Sequence, residues 1–557
     1  MFKQPKSSLF LFLFLFLSCN LRAGPNQAAI ASAHPLATAA GFEILAQGGN
    51  AFDAAVAVSA TLAVVEPSGS GLGGGGFWLL KRAKDGKEII IDGREKAPLA
   101  AHSSMYLDGQ GNPTAKLSLD GPLAAGIPGL PAGLAHLAKQ YGRLPLSKSL
   151  APAIYHAETG FEVGDHYLRA IASRESILQR YAASADIFLE QHATPKPGFR
   201  LVQPGLAMTL KRLAVGGHAG FYRGETARQL VEAVRKAGGV WTLDDLQQYK
   251  IIERRPLIGE YHGIRVVSAP PPSSGGIVLV EILNILSAYD LPQFDSVTRK
   301  HLIIEAKRRA YRDRDIYLGD PDFVEIPTKR LTSPDYAAGL RVAIRADHAL
   351  SSESLSDTPS INPQGDNTTH LSIIDRQGNQ VAATLSINQA MGSGFVAEGT
   401  GVLLNDEMDD FAVSPGKPNA YGLVGGNANS IEPGKRMLSS MTPTFLQTKD
   451  RIAILGTPGG SRIISMVLLA VLDFAEGNGP VSWVNIGRFH HQYLPDVVEH
   501  EPDALTIEEM HGLEKLGHKL KATAKRYGNM QAILWDKSTG QLEAASDPRG
   551  EGAAWVR

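Results

Sequence analysis

The sequence predicts an α+β fold, and three observations carry that expectation. Residues 117–261 are mostly helix-patterned with Pro and Gly punctuation, residues 368–388 read as a β-hairpin, and residues 451–474 read as strand, glycine turn and helix. The chain is 557 residues long, 43% hydrophobic and 20% charged, so a packed core is available. A formal net charge of -1 gives no global field for nucleic acid or an anionic membrane, and any charged ligand must be recognised locally.

In order, residues 9–17 form a pure Leu/Phe run behind Lys3 and Lys6, which fits an export leader and is too short to span a bilayer. Cleavage after Ala23 gives a leader of residues 1–23; the alternative is lipid attachment at Cys19, the one cysteine. A mature chain cut beyond Cys19 contains no thiol, which excludes disulfides and thiol catalysis. Residues 28–46 hold an Ala-rich helical pattern stopped by Gly48, Gly49 and Asn50. Asn50 or Asp53 then starts a helix over residues 54–65, whose Ala/Val content implies burial on most faces.

Gly69, Gly71 and Gly74 satisfy the spacing of a dinucleotide fingerprint, but they follow a helix and lead into the strand-like Phe77-Trp78-Leu79-Leu80, the wrong context. Close approach of backbone to backbone is the better account of these glycines. Residues 87–92 form a strand that delivers Arg94, either to grip a carboxylate through two parallel hydrogen bonds or to form an ordinary surface ion pair. Residues 130–140 and 152–161 read as helices, and residues 167–189, 208–213 and 226–236 as surface helices. A strand at 265–268 runs through a Pro/Ser/Gly turn into an apolar helix at 277–286; residues 298–317 are helical with a charged face that reads as solvated.

Residues 351–365 are a polar loop, and the texture changes at Thr368. Residues 368–374 and 380–388 are β-rich and flank the turn residues 375–379, so a hairpin symmetric about Gln377 pairs Thr368 with Ser386, hydroxyl to hydroxyl. The Thr-Thr-His stretch is either the start of an ordinary strand or, if the chain is cut before Thr368, a hydroxyl nucleophile with its own α-amine as base. An α-amine titrates at about 7.7–8.0, so no histidine is needed.

Residues 401–405 form a buried-type strand leading to Asp406, Glu407, Asp409 and Asp410, which suit recognition of an ammonium group or form a solvated acidic turn. Their spacing is not that of a calcium loop. Residues 415–426, with Tyr421, suit a lid. Gly456 to Arg462 join a strand at 451–455 to a helix at 463–474, and the amide N–H groups there form a ready oxyanion site. His490 and His491 are assigned structural roles.

The segments GGNAFDAAVA, VVEPSGSGLGGGGF, DGREKAP, PPPSSGG, LGDPDF, NTTH, LLNDEMDDF, YGLVGG, LSSMTPT, GTPGGSR, RFHHQYLPD and SDPR together resemble the γ-glutamyltranspeptidases (glutathione hydrolases). These are members of the N-terminal-nucleophile hydrolase superfamily, and the resemblance covers nearly all of the chain after the leader. It implies a four-layer αββα sandwich with two central antiparallel-rich sheets, formed by both subunits of a self-cleaved precursor. Cleavage between Asn367 and Thr368 is expected to give a large subunit of residues 24–367 and a small catalytic subunit of residues 368–557, associated as a heterodimer.

The resemblance implies Thr368 as nucleophile, Ser386 opposite it, and the N–H groups of Gly459 and Gly460 as oxyanion hole. It implies Arg94 with Ser439 and Ser440 for the substrate α-carboxylate, Asp410 with Glu407 and Asn388 for the α-amine, and Tyr421 on the lid. The expected donors are glutathione and other γ-glutamyl compounds, the acceptors amino acids, peptides or water, with no cofactor or metal and no nucleic-acid partner. An exported, periplasmic protein without an integral membrane span follows, secretion or lipid anchoring being the alternatives. Ser386 stands where many relatives have threonine, which removes a β-branch restraint and bears on the rate of maturation. The rival readings are a related glutaryl or cephalosporin acylase, and an exported amino-acid-binding protein without turnover.

Overall fold

Alternating apolar side chains build two sheets that lie face to face. The computed structural model describes residues 24–114, 116–355, 367–412 and 426–557; the leader with Cys19 and the expected lid with Tyr421 lie outside them, apart from Gly426. The strands that matter here are β1 (Ala29–Ser32), β2 (Gly75–Arg82), β3 (Lys87–Gly93), β4 (Ile252–Arg254), β5 (Leu257–Tyr261), β6 (Ile264–Ser268), β7 (Thr369–Ile374) and β8 (Gln380–Ser386). They continue as β9 (Thr444–Gln447), β10 (Arg451–Gly456), β11 (Gln531–Asp536), β12 (Leu542–Ser546) and β13 (Ala553–Val556). One sheet runs β13-β1-β7-β8-β2-β3-β4 and the other β12-β11-β10-β9-β6-β5. Within both, neighbouring strands pair antiparallel.

The period of two along each strand sorts the side chains into layers. Phe77, Leu79 and Ile90 of the first sheet meet Val267, Phe445 and Ile454 of the second in the layer between them. Trp78, Leu80 and Leu371 face the other way, onto helices α1 (Pro35–Ala46), α2 (Ala51–Val65) and α3 (Leu130–Gln140). The far side of the second sheet is covered by α4 (Gly275–Leu286), α5 (Ser296–Tyr317) and α6 (Arg462–Ala475). The result is the expected αββα sandwich. Truncating a side chain of the central layer, such as the fully buried Phe445, to alanine costs about 3–5 kcal/mol by lost contact and residual cavity.

Helix α2 is buried along its whole length, and Asn50 and Asp53 close a reciprocal capping box at its start, so it begins at Ala51, three residues before the predicted start. The glycine run that follows brings strands and loops into backbone contact: a Cβ on Gly73 would lie 2.0 Å from the Leu403 carbonyl oxygen, and one on Gly74 2.0 Å from that of Ser386. No nucleotide-binding turn is formed, because the run joins α2 to β2.

β1 and β9 are four-residue strands that no clear alternating pattern marks in the sequence. The strand expected at 401–405 is reduced to Val402–Leu403. The charged face of α5 is not solvated: Glu305, Lys307, Arg308, Arg309, Asp313 and Arg314 are all buried. Glu305 pairs with Arg308 at 3.1 Å and Arg309 at 2.7 Å, Arg308 also reaches Asp496, and Lys307 Nζ donates to the Phe489 carbonyl at 2.9 Å. Buried charges persist where partners are supplied, and these come in part from residues 489–496, out of view of local patterning. His301 of the same helix is closed against His518 by a 2.8 Å ring-to-ring bond.

Candidate active site

The hairpin is the scaffold of the site. β7 and β8 pair from Gln380–Ile374 to Leu385–Thr369, the register of a turn symmetric about Gln377. Asp375 sets that turn by accepting from the N–H groups of Gln377 at 2.9 Å and Asn379 at 3.0 Å, and it ties the turn to α2 by accepting from Ala51 N–H at 2.9 Å. One step beyond the last pair, Thr368 Oγ1 lies 3.3 Å from Ser386 Oγ. The Thr368 hydroxyl also donates to the Asn367 carbonyl oxygen, so the oxygen lies against the peptide bond preceding it. Ser386 Oγ accepts from Asn388 N–H at 2.7 Å, and Asn388 holds φ +73°, a left-handed turn that ends the strand.

Arg94 leaves the end of β3 and is 1% exposed, which removes the surface ion pair as its explanation. Its Nη1 donates to Glu407 and its Nη2 to Asp410, each at 2.5 Å, while Nε donates to the Met437 carbonyl at 3.3 Å. Burial opposes the Arg94 charge, but Glu407, Glu95 and Asp410 outweigh it and raise the pKa. Burial pushes the Glu407 carboxyl up to about 7, against the pull of Arg94. The acidic stretch is a one-turn helix, Glu407–Asp410, with Glu407 and Asp409 buried and Asp410 partly buried, rather than a solvated turn.

Asn405, which local pattern reading passed over, holds that turn in place. Its side-chain oxygen accepts from Gly126 and Glu407 N–H groups at 2.9 Å each, and its Nδ2 donates to the carbonyls of Gly73 at 2.6 Å and Gly126 at 2.8 Å. All four bonds of one amide are used.

Ser439 and Ser440 line the same cavity as Arg94. Ser439 N–H donates to the Pro272 carbonyl at 2.8 Å, and Ser439 Oγ accepts from Met441 N–H at 3.1 Å. Gly459 and Gly460, with φ +135° and +55°, make the turn between β10 and α6. Both values are costly for other residues. Thr368, Ser386, Asn388 and Gly460 line one small cavity together with Arg94, Glu407, Asp410, Ser439 and Ser440. Gly459 is adjacent to that lining, and Tyr421 is outside the described residues. His490 and His491 are buried away from the cavity, bonded to Ser465 at 2.7 Å and Asp496 at 3.1 Å, as structural roles require.

A second residue absent from the sequence reading is Glu66, buried at the end of α2 behind Thr369. Burial pushes its carboxyl up to about 8, the Thr369 hydroxyl opposing and Glu551 adding to the shift. A folded-state pKa above the ordinary 4.5 means that the folded chain holds this proton more tightly than the unfolded chain. Its contribution to stability is full below about 4.5 and is lost as pH rises through about 8. Glu66→Gln is accordingly expected to raise the thermal midpoint relative to the unmutated protein at pH 9 and to leave little difference at pH 4.5; an equal shift at both values contradicts the assignment.

The model of the family described as gamma-glutamyltranspeptidase matches residues 37–556. The chain belongs to that family. The glutathione hydrolase proenzyme of Escherichia coli (strain K12) is 43% identical over 532 residues, covering 94% of this chain and 90% of the relative. Among solved structures, a cephalosporin acylase from Bacillus halodurans superposes with a TM-score of 0.83 at 29% identity, over 95% of this chain and 96% of that one. The Helicobacter pylori gamma-glutamyltranspeptidase is 40% identical with a TM-score of 0.56, covering 57% of this chain and 92% of that one. The family is one of enzymes, and this member carries the hydroxyl pair and the buried guanidinium in one cavity. Among the described residues, no helix is long and apolar enough to cross a membrane.

Proposed function

We propose that this protein is a self-processing γ-glutamyltransferase and glutathione hydrolase. The observation that carries the reading is the convergence of Thr368 and Ser386 with Arg94, Glu407 and Asp410 on one cavity. A guanidinium beside carboxylates matches a ligand that brings both a carboxylate and an ammonium, as the α-carbon of a γ-glutamyl group does. On entry the substrate carboxylate takes a place on Arg94 and the ammonium one on Asp410 and Glu407, with Asn388 beside them; Ser439 and Ser440 complete the carboxylate end.

In maturation, Thr368 Oγ1 attacks the Asn367 carbonyl carbon, the bond to the Thr368 nitrogen breaks, and water hydrolyses the resulting ester to leave a free Thr368 α-amine. In turnover that amine takes the hydroxyl proton as Oγ1 attacks the γ-amide carbon. The N–H groups of Gly459 and Gly460 receive the developing oxyanion, where one donor is worth about 2.7–4 kcal/mol. The leaving amine departs protonated, and water or an acceptor amino acid or peptide releases the γ-glutamyl group. Tyr421 and its neighbours serve as the lid, and residues 1–23 as a leader removed on export to the periplasm.

The division into residues 24–367 and 368–557 is compatible with one domain, because β7 and β8 lie between β1 and β2 in the same sheet. Cleaved protein is expected to elute as one particle on size exclusion and to separate into two bands on a denaturing gel; dissociation under native conditions is the contrary result. Ser386→Ala is expected to slow appearance of the two bands by about tenfold, the effect of losing one polar partner of roughly 1.5 kcal/mol. Unchanged processing would remove Ser386 from the mechanism. The deciding assay is release of p-nitroaniline from γ-glutamyl-p-nitroanilide, with and without glycylglycine. Cleavage of glutaryl but not γ-glutamyl substrates would instead indicate an acylase, and binding without turnover a binding protein.

A further inference from the structure

Helix α5 delivers a second guanidinium to the cavity. Arg314, 4% exposed, lines it with Arg94 and Thr368. Its Nε donates to Ser274 Oγ at 3.1 Å, its Nη1 to Asp315 at 3.2 Å and its Nη2 to Ser440 Oγ at 3.4 Å. Ser274 in turn donates to the Ser439 carbonyl oxygen through both its N–H and its hydroxyl, each at 2.8 Å. The backbone and one hydroxyl of the serine pair are thus held from the same side by residues that contact one another.

A hydroxyl has one hydrogen to give and two lone pairs with which to receive, and a guanidinium only donates. When Ser440 Oγ receives from Arg314, it cannot spend its own hydrogen on that neighbour. The hydrogen remains for an acceptor in the cavity, which on the reading above is the substrate α-carboxylate. We propose that Arg314 is a positioning residue for the α-carboxylate end of the site, acting by turning the Ser440 hydroxyl into a donor toward the substrate. This rests on the proposed assignment of Ser439 and Ser440, and it makes Arg314 a determinant of specificity for substrates that carry that carboxylate. A role confined to packing α5 against the second sheet predicts no dependence on Ser440.

The test is a double-mutant cycle on processed enzyme, with R314Q, S440A and the double variant assayed on γ-glutamyl-p-nitroanilide. R314Q is expected to raise KM about tenfold or more, as loss of a charge-assisted bond does, with kcat changed less than about threefold. In the S440A background the same change is expected to raise KM less than about threefold. R314K, which restores a donor without the planar fork, is expected to recover part of the KM. An equal KM rise in both backgrounds, an unchanged KM, or a loss confined to kcat overturns the proposal. Should R314Q fail to process, R314K replaces it in the same cycle and is judged by the same coupling to Ser440. If unmutated enzyme does not hydrolyse the γ-glutamyl anilide, the functional reading itself has failed, whereas full activity with an additive cycle removes only the role of Arg314.

Discussion

Thr368→Ala yields one unbroken chain and no measurable γ-glutamyl hydrolysis above roughly 10⁻⁴ to 10⁻⁶ of the unmutated rate, the scale on which loss of a nucleophile acts. The geometry allows no substitute. Ser386 Oγ is 3.3 Å away but accepts from Asn388 N–H, and Ser386 is the last residue of β8, its backbone continuous on both sides, so it has no α-amine of its own to act as base. His370, the next histidine along, is fully buried between Thr384 at 2.8 Å and Ser372 at 3.3 Å, and burial lowers its pKa to about 3. It therefore neither reaches the cavity nor serves as base there. A denaturing gel and the anilide assay check both halves. Normal processing of the alanine variant, or full activity from the uncut chain, removes Thr368 from the centre of the mechanism.

Arg94→Lys is expected to lower kcat/KM on γ-glutamyl substrates by about 10–100-fold, the loss of one charge-assisted bond of roughly 1.5–3 kcal/mol, chiefly through KM. The guanidinium now spans Glu407 and Asp410 with its two terminal nitrogens, which a single ammonium cannot reproduce. Arg94→Ala goes further, because Glu95 and Glu407 are fully buried beside it and would lose their cation. That is expected to cost about 3–5 kcal/mol of stability, read as a lowered urea midpoint. If Arg94→Ala neither destabilises the protein nor raises KM, the buried ion-pair cluster is not the substrate clamp.

The sequence alone reached the hairpin register, the pairing of Thr368 with Ser386, the strand delivering Arg94 and the glycine turn before α6, because each is encoded within about twenty residues by period, turn chemistry or a helix start. Family resemblance supplied the sandwich and the roles of residues that no local pattern connects. Tertiary structure alone decided that Arg94 and the acids form one buried cluster, that Asn405 holds the acidic turn, and that the charged face of α5 turns inward to bring Arg314 to Ser440. The physical reason is common to all three: whether a charge or a polar amide finds partners or faces water is decided by groups far away in the chain, because hydrogen-bond, Coulomb and desolvation energies follow distance in space rather than separation in sequence.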